Sequence, residues 1–370
     1  MAHARAPYME WAKSRSKPDV DLAGSNLLAC SLDDLPGARE ALDIAGESPD
    51  GYPPLREAIS SRYGVTTDRV ATANGCSGAN FLACAAVLET GDEVLIERPA
   101  YDPLIAAAKM LGAHVRFFER RFEESYALDP DRIAAAIGPM TRLIILSNPH
   151  NPSGALASSD SLEALARVAG KAGIPVLVDE VYQDTVLEGR QPPAATRSPV
   201  FITTNSLTKA YGLASLRCGW SLASPEITER IRRARDVVDV WGPIAAERLS
   251  VLAFRNLDRL AARATAIIRS NARLVADFFA GRAGVECVAS RSTLVFPRLA
   301  GADDAHDFVK RLFEKHGTAV VAGAYFGAPA HFRISFGGST EILRRGLEAI
   351  ARCFEEEERG RASGTESREP

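Results

Sequence analysis

Between about Pro54 and Ala223 the chain alternates short, wholly apolar runs with stretches whose apolar residues recur every three or four positions. The runs include Val94–Ile96, Leu143–Leu146, Val176–Val178 and Val200–Ile202, and Val115–Phe118, interrupted by Arg116, reads as a further strand. A strand that is apolar at every position has neither face in water, so its sheet must be covered on both sides. The amphipathic stretches between the strands supply that cover. Strands joined through helices run parallel, so the pattern predicts an α/β fold: a mostly parallel sheet sandwiched by helices. Local signals agree. Pro54 opens a helix carrying Leu55, Ala58 and Ile59, and Gly64 ends it; Asp129-Pro130 opens another that runs through Ile137. Asp160 and Glu163 read as a capping box for the helix bearing Leu162, Leu165, Ala166 and Ala169. In such sheets ligands bind beyond the carboxyl ends of the strands, which says where to look for chemistry.

A different rhythm follows. A long helical pattern from Asp258 to about Arg282 leads to a strand at Thr293–Phe296, a helix at Asp304–Lys315, a strand at His331–Phe336 and a helix from Thr340 to about Glu356. This predicts a second, smaller α+β domain, and residues 359–370 read as a polar, solvated tail. Lys and Arg total 44 against 47 Asp and Glu, a formal charge of −3, so no electrostatic footprint of a nucleic-acid or membrane-surface partner is present. The six cysteines are scattered, and no histidine stands at metal-ligand spacing. That argues against a metal site and a disulfide framework, and places the chain in a reducing cytoplasm. No run of roughly eighteen apolar residues occurs, so no membrane span is expected.

Five features fall at strand ends or in the second domain. Gly75-Cys76-Ser77-Gly78 opens a helix with small residues and free N–H groups, which suits a phosphate or simply an ordinary capped turn. Asn151 lies in Ser147-Asn148-Pro149-His150-Asn151-Pro152-Ser153-Gly154, a loop stiffened by two Asn-Pro pairs after a buried strand. Asp179 closes Pro175–Val178, with Tyr182 three residues on; a carboxylate there needs a helix terminus or a ligand cation as partner. Lys209 follows the strand at Val200–Thr204 within Asn205-Ser206-Leu207-Thr208-Lys209, with Arg217 eight positions later. A lysine desolvated beside an arginine has a depressed pKa and becomes a nucleophile for carbonyls. Arg333 stands in His331–Phe336, where alternation puts Phe332, Ile334 and Phe336 on one face and Arg333 on the other, away from the core, as a polar-face residue or a two-pronged carboxylate clamp.

In combination these motifs resemble the pyridoxal-phosphate-dependent aminotransferases of class I/II, fold type I, over nearly the whole chain, from about Asp21 to Phe354. The spacings of 28 residues from Asn151 to Asp179 and 30 from Asp179 to Lys209 fit that family's pattern. The resemblance implies a seven-stranded sheet and a pyridoxal 5′-phosphate cofactor joined to Lys209 as a Schiff base, with Lys209 also the base that moves the proton during amino transfer. It implies that Asp179 pairs with the pyridinium nitrogen and that Asn151 and Tyr182 donate to the ring's phenolic oxygen. Gly75, Cys76, Ser77, Ser206 and Arg217 would hold the phosphate and Tyr101 would stack on the ring. Arg333 would clamp the substrate's α-carboxylate, with Asn151 and Gly24 also on the substrate side. The implied activity moves an amino group from an α-amino acid to a 2-oxo acid, in a homodimer.

Two departures stand out. The family's usual tyrosine five residues ahead of the glycine matched by Gly51 is Gly46 here, so either Tyr52 or another group takes over its phosphate contact, or the phosphate is held more weakly. The usual N-terminal Gly-Glu-Pro-Asp-type segment is replaced by Ala23–Leu28, which bears on substrate identity. The segment from Arg232 to Pro243, where the resemblance implies contacts from the partner subunit, offers cations, acids and an aromatic. The expected domains are 46–278 for the cofactor and 1–45 plus 279–358 for the small domain. Other reactions of the same cofactor, among them β-elimination, decarboxylation, cyclisation and oxidation, use the same lysine, aspartate and arginine. A DNA-binding regulator is disfavoured because no helix-turn-helix fits before Asp21, and a nicotinamide dehydrogenase because no Gly-x-Gly-x-x-Gly follows a strand.

Overall fold

The computed structural model describes residues 4–366. It contains strands β1 (Val70–Asn74), β2 (Glu93–Arg98), β3 (His114–Glu119), β4 (Thr141–Ser147), β5 (Val176–Asp179), β6 (Phe201–Ser206) and β7 (Cys218–Leu222); β2 to β6 are the runs read from the sequence, and β1 and β7 are two strands not expected from it that join them. They make one seven-stranded sheet in the order β1-β7-β6-β5-β4-β2-β3. All neighbours are parallel except at β7, which is antiparallel to both β1 and β6.

Alternate residues of one strand enter opposite cores. Leu95, Ile144, Leu146, Val176, Val178 and Phe201 pack on one side of the sheet, and Val94, Ile96, Leu143, Ile145, Leu177 and Ile202 on the other. Each such side chain, wholly removed from water, contributes roughly 1.5–3 kcal/mol of burial free energy. The helices Gly75–Val87 and Asp102–Met110 cover one face through Leu82, Ala83, Leu104 and Ala108. Pro53–Tyr63 and Ser159–Ala172 cover the other through Leu55, Ile59, Leu162 and Leu165. The cap of Ser159–Ala172 is Ser158, whose hydroxyl accepts the Ser161 N–H at 3.0 Å, and not the Asp160 expected from the sequence. The reason is backbone geometry: Ser158 is extended, as a cap must be, whereas Asp160 already lies inside the helix.

A second core joins Val20, Leu22 and Leu27 to Ile268, Val275, Phe308, Leu312, Ile334 and Leu347. The helix Leu257–Phe279 belongs to both cores: Leu257 and Leu260 pack under the sheet, Ala264 and onward in the second core. Leu35 and Ala38 from the N-terminal segment also pack under the sheet. The second core carries a small antiparallel sheet, with Phe332–Ser335 between Leu294–Val295 and Val321–Ala322, and the N-terminal Val20–Asp21 pairs in parallel with Thr318–Ala319. The final helix runs from Thr340 to Glu366, through most of the stretch read as a solvated tail; glutamate, arginine and alanine are strong helix formers and carry it on. Residues 367–370 lie outside the described residues.

Candidate active site

Topology gathers the polar residues at one edge of the sheet. Asp179 ends β5, Ser206 ends β6, Asn151 sits in the loop after β4, and the helix Gly75–Val87 begins directly after β1. Because β7 runs the opposite way, Arg217 at its amino end reaches the same edge.

Gly75 and Arg217 make an anion cradle. Gly75 has φ +71°, and a Cβ there would lie 2.2 Å from Arg217 Nη2, so only glycine permits the approach. The Arg217 guanidinium donates to the carbonyls of Asn74 (3.2 Å) and Ala214 (3.4 Å). It forms no ion pair among the described residues, and it lies beside the first turn of the helix, where the Gly75 N–H donates to the Arg217 carbonyl at 2.7 Å and the N–H groups of Cys76 and the exposed Ser77 are open to a ligand. Ser206 is buried next to this cradle's strand end, its hydroxyl accepting the Thr208 N–H at 3.3 Å.

Lys209 lies on the single turn Thr208–Tyr211, which Gly212 ends at φ +70°, where a Cβ would strike the Leu28 carbonyl at 2.3 Å. Its ammonium donates to Ser25 Oγ and Asn26 Oδ1, both at 2.8 Å, and stands 5.9 Å from the centre of the Tyr182 ring. Burial, and then the charge of Arg333, bring its pKa down to about 8. The sequence reading gave the cation's role to Arg217, but Arg217 acts more weakly than Arg333, which the fold brings in from the second core. Asp179 is buried and accepts from Asn80 Nδ2 (2.8 Å), the Val181 N–H (3.0 Å) and Cys76 Sγ (3.3 Å). Burial pushes its carboxyl up, while those three donors and Lys209 favour the anion. Thr204 fixes Asn80 by donating to Oδ1 at 2.5 Å.

Arg333 is the main correction to the sequence reading. Alternation turned it away from the core, yet it is 0% exposed, because the N-terminal segment covers that face of its strand. Its Nη1 donates to Asn151 Oδ1 (3.0 Å), and its Nη2 to the Tyr8 hydroxyl (2.8 Å) and the Ala23 carbonyl (3.1 Å). A guanidinium has only donors, so this contact fixes the Asn151 amide orientation and leaves its NH₂ for a ligand. The Asn151 N–H is held by Ser147 Oγ at 2.9 Å. Tyr101, at the start of the helix Asp102–Met110, presents its ring edge-on to Tyr8 at 5.8 Å. Gly24 is exposed, its N–H on Asp21 Oδ1 at 3.2 Å, one residue from the Lys209 partner Ser25.

Sequence reasoning missed Ser25, Asn26, Asn80, Thr204 and Tyr8. Asn80 stands five residues into a helix whose start was recognised, and a polar residue on its apolar face was the available signal. At the departures, a Cβ on Gly46 would lie 3.0 Å from Arg248 Nη2 and 3.2 Å from Ile244 Cγ1, and the ring of Tyr52 lies 5.9 Å beneath Arg248. In the segment from Arg232 to Pro243, Arg232 bonds the Thr67 and Val70 carbonyls and Arg235 is buried, whereas Trp241 is 49% exposed.

An aromatic phosphate fits these residues. The cradle supplies unpaired donors for a dianion, Asp179 a buried anion for a ring cation, and the Tyr182 hydroxyl is buried with no hydrogen-bond partner among the described residues. The comparisons agree with that reading. The chain covers 96% of itself and 99% of a PLP-dependent aminotransferase structure from Streptococcus suis, with a TM-score of 0.90 at 26% identity. It is 32% identical to the capreomycidine synthase of Streptomyces vinaceus over 97% of this chain and 96% of that protein. It is 28% identical to the aspartate/prephenate aminotransferase of Thermus thermophilus over 83% of this chain and 82% of that one. The model of the aminotransferase class I and II family matches residues 46–350. The match over most of the chain, together with a sheet of this topology, shows the family: the chain belongs to the class I and II aminotransferases, enzymes that depend on pyridoxal 5′-phosphate.

Proposed function

We propose that this site moves the amino group of an α-amino acid to a 2-oxo acid, with Lys209 as the cofactor's attachment point and as the group that carries the proton. The observation behind this is the Lys209 amine, held near pKa 8 and within reach of Tyr182, Asp179 and Arg333. When bound, pyridoxal 5′-phosphate supplies an electron sink that lets the substrate's Cα proton leave. The chain's own residues do the rest. Lys209, with a pKa near neutrality, both takes and returns a proton at working pH. Asp179, its charge supported by Asn80, Cys76 and Val181, keeps a ring nitrogen protonated opposite it. Tyr182 and the Asn151 NH₂ are donors for the ring's phenolic oxygen, and Tyr101 offers a face to stack on. Gly75, Cys76, Ser77, Ser206 and Arg217 hold the phosphate, and Arg333 takes the α-carboxylate, with Gly24 lining the substrate side.

The working form in this reading is a cytoplasmic homodimer, with domains at 46–278 and at 1–45 plus 279–358. Exposed Leu42, Ile44, Val237, Val238, Val240 and Trp241 lie on two segments that Gly242–Ser48 and Arg233–Asp50 hydrogen bonds tie together. Such an apolar patch is suited to burial against a second copy. Among the described residues no cysteine forms a disulfide, as a reducing compartment would keep them.

A second reading has one observation in its favour: a relative matched over 97% of this chain is named as a synthase and not as an aminotransferase. In that reading the same residues cyclise or eliminate instead of transferring. Incubating holoprotein with an amino-acid panel separates the two. Release of the matching 2-oxo acid with the cofactor left in its amine form supports transfer; ammonia, a ring-closed product or loss of carbon dioxide supports the second reading.

A further inference from the structure

Arg333 is wholly buried, yet its hydrogen bonding is not closed by the described residues. Nη1 and Nη2 are engaged, while Nε has no partner among them. The group that meets Nη2 comes from the N-terminal helix Pro7–Ser14: the hydroxyl of Tyr8, at 2.8 Å. Tyr8 is held there independently of Arg333. Its N–H donates to Asp102 Oδ2 at 3.1 Å, and its ring lies edge-on to Tyr101 at 5.8 Å and to Tyr325 at 6.1 Å. A phenol both accepts and donates. The Tyr8 oxygen accepts from Arg333, and among the described residues the hydroxyl forms no hydrogen bond to an acceptor. A buried phenolic proton beside a buried guanidinium asks for the same ligand as the guanidinium does, an oxygen anion.

We propose that Tyr8 is a specificity-determining residue that donates a hydrogen bond to the substrate's α-carboxylate beside Arg333, so that the N-terminal helix Pro7–Ser14 forms part of the substrate site. This rests on the amino-acid reading given above. The carboxylate then meets donors from two distant parts of the chain, Tyr8 and Arg333. A substrate lacking the carboxylate leaves both unmatched, which is how a site built to hydrogen-bond a group rejects its analogues.

The test uses holoenzyme carrying Tyr8→Phe, which keeps the ring and its packing. With the best donor from the amino-acid panel, KM should rise about tenfold while kcat stays within about twofold; tenfold is about 1.4 kcal/mol, near the lower end for a hydrogen bond to a charged group. In parallel, the cofactor's visible band is titrated with the same amino acid and with the primary amine that lacks its carboxylate. The apparent Kd for the amino acid should rise by the same factor, and that for the amine should not move. Unchanged KM and Kd, a fall in kcat at constant KM, or an equal weakening for the amine overturns the proposal. If the wild-type band responds to no amino acid, the functional reading fails too, and that failure is visible before any variant is made.

Discussion

Arg120→Met should cost about 3–5 kcal/mol, the range for breaking a buried ion pair by removing one partner, and more at high pH than at low. Arg120 and Glu97 are both wholly buried and pair at 3.0 Å. Arg120 also donates to the carbonyls of Tyr126 (2.8 Å) and Ser147 (3.3 Å), while Glu97 accepts the Ser147 N–H at 2.7 Å and its hydroxyl at 2.6 Å. Without the arginine, Glu97 keeps only Ser147. His150, 3.9 Å away, does not substitute as a cation, because burial holds its pKa well below the ordinary value. Burial already raises the Glu97 carboxyl and Arg120 opposes that rise, so the variant's folded-state pKa climbs further above the unfolded one. A carboxyl raised in the folded state is tolerated below its unfolded pKa, and its stability is lost as pH rises toward the folded value. Between pH 5 and pH 8 this adds at most about 4 kcal/mol, at about 1.4 kcal/mol per unit. Urea unfolding of the apoprotein at both pH values measures it. Glu97→Leu with Arg120→Met, which removes both charges, should recover most of the loss. A loss under about 1 kcal/mol, an equal loss at both pH values, or a double variant worse than Arg120→Met would refute the reasoning. The pair also bears on the site, since Ser147 Oγ, held by Glu97, positions the Asn151 backbone at 2.9 Å.

The rate at which apoprotein captures pyridoxal 5′-phosphate, trapped by borohydride, should rise with pH and reach half its maximum near pH 8, where Lys209 loses its proton. Arg333→Met should move that midpoint upward, because it removes a cation that favours the neutral amine. Arg217→Met should weaken pyridoxal 5′-phosphate binding by about 10–100-fold, the range of a charged hydrogen bond, and leave the affinity for pyridoxal unchanged; Gly75→Ala, whose Cβ would strike Arg217, should follow the same pattern in equilibrium titrations. Asn80→Leu removes a donor that lowers the Asp179 pKa, so the acidic limb of the activity profile should shift to higher pH; an unmoved limb would show that Asn80 does not support the Asp179 charge.

Much of the fold was legible because buried parallel strands leave an uninterrupted apolar record, and Leu143–Leu146 or Val176–Val178 admit few other readings. The residues at the strand ends were legible for the same reason: Asp179 follows the run Val176–Val178 directly, and Ser206 and Lys209 come shortly after Val200–Ile202. What sequence periodicity did not reveal was long-range contact. Arg333 read as a residue facing away from the core because the alternation of one strand says nothing about what covers its far face; Tyr8 and Ala23 cover it, more than 300 positions earlier in the chain. The Lys209 partners Ser25 and Asn26 are set by the same folding-back of the N-terminal segment. The final helix was cut short because a run of charged residues looks the same in a solvated helix as in a tail.

The amine that anchors this chemistry is identified most directly by reducing cofactor-loaded protein with borohydride, digesting it, and locating the added mass by peptide sequencing. The account predicts one stoichiometric pyridoxyl adduct, on Lys209, absent from Lys209→Ala. An adduct of equal yield on another lysine, or its persistence in Lys209→Ala, would contradict it.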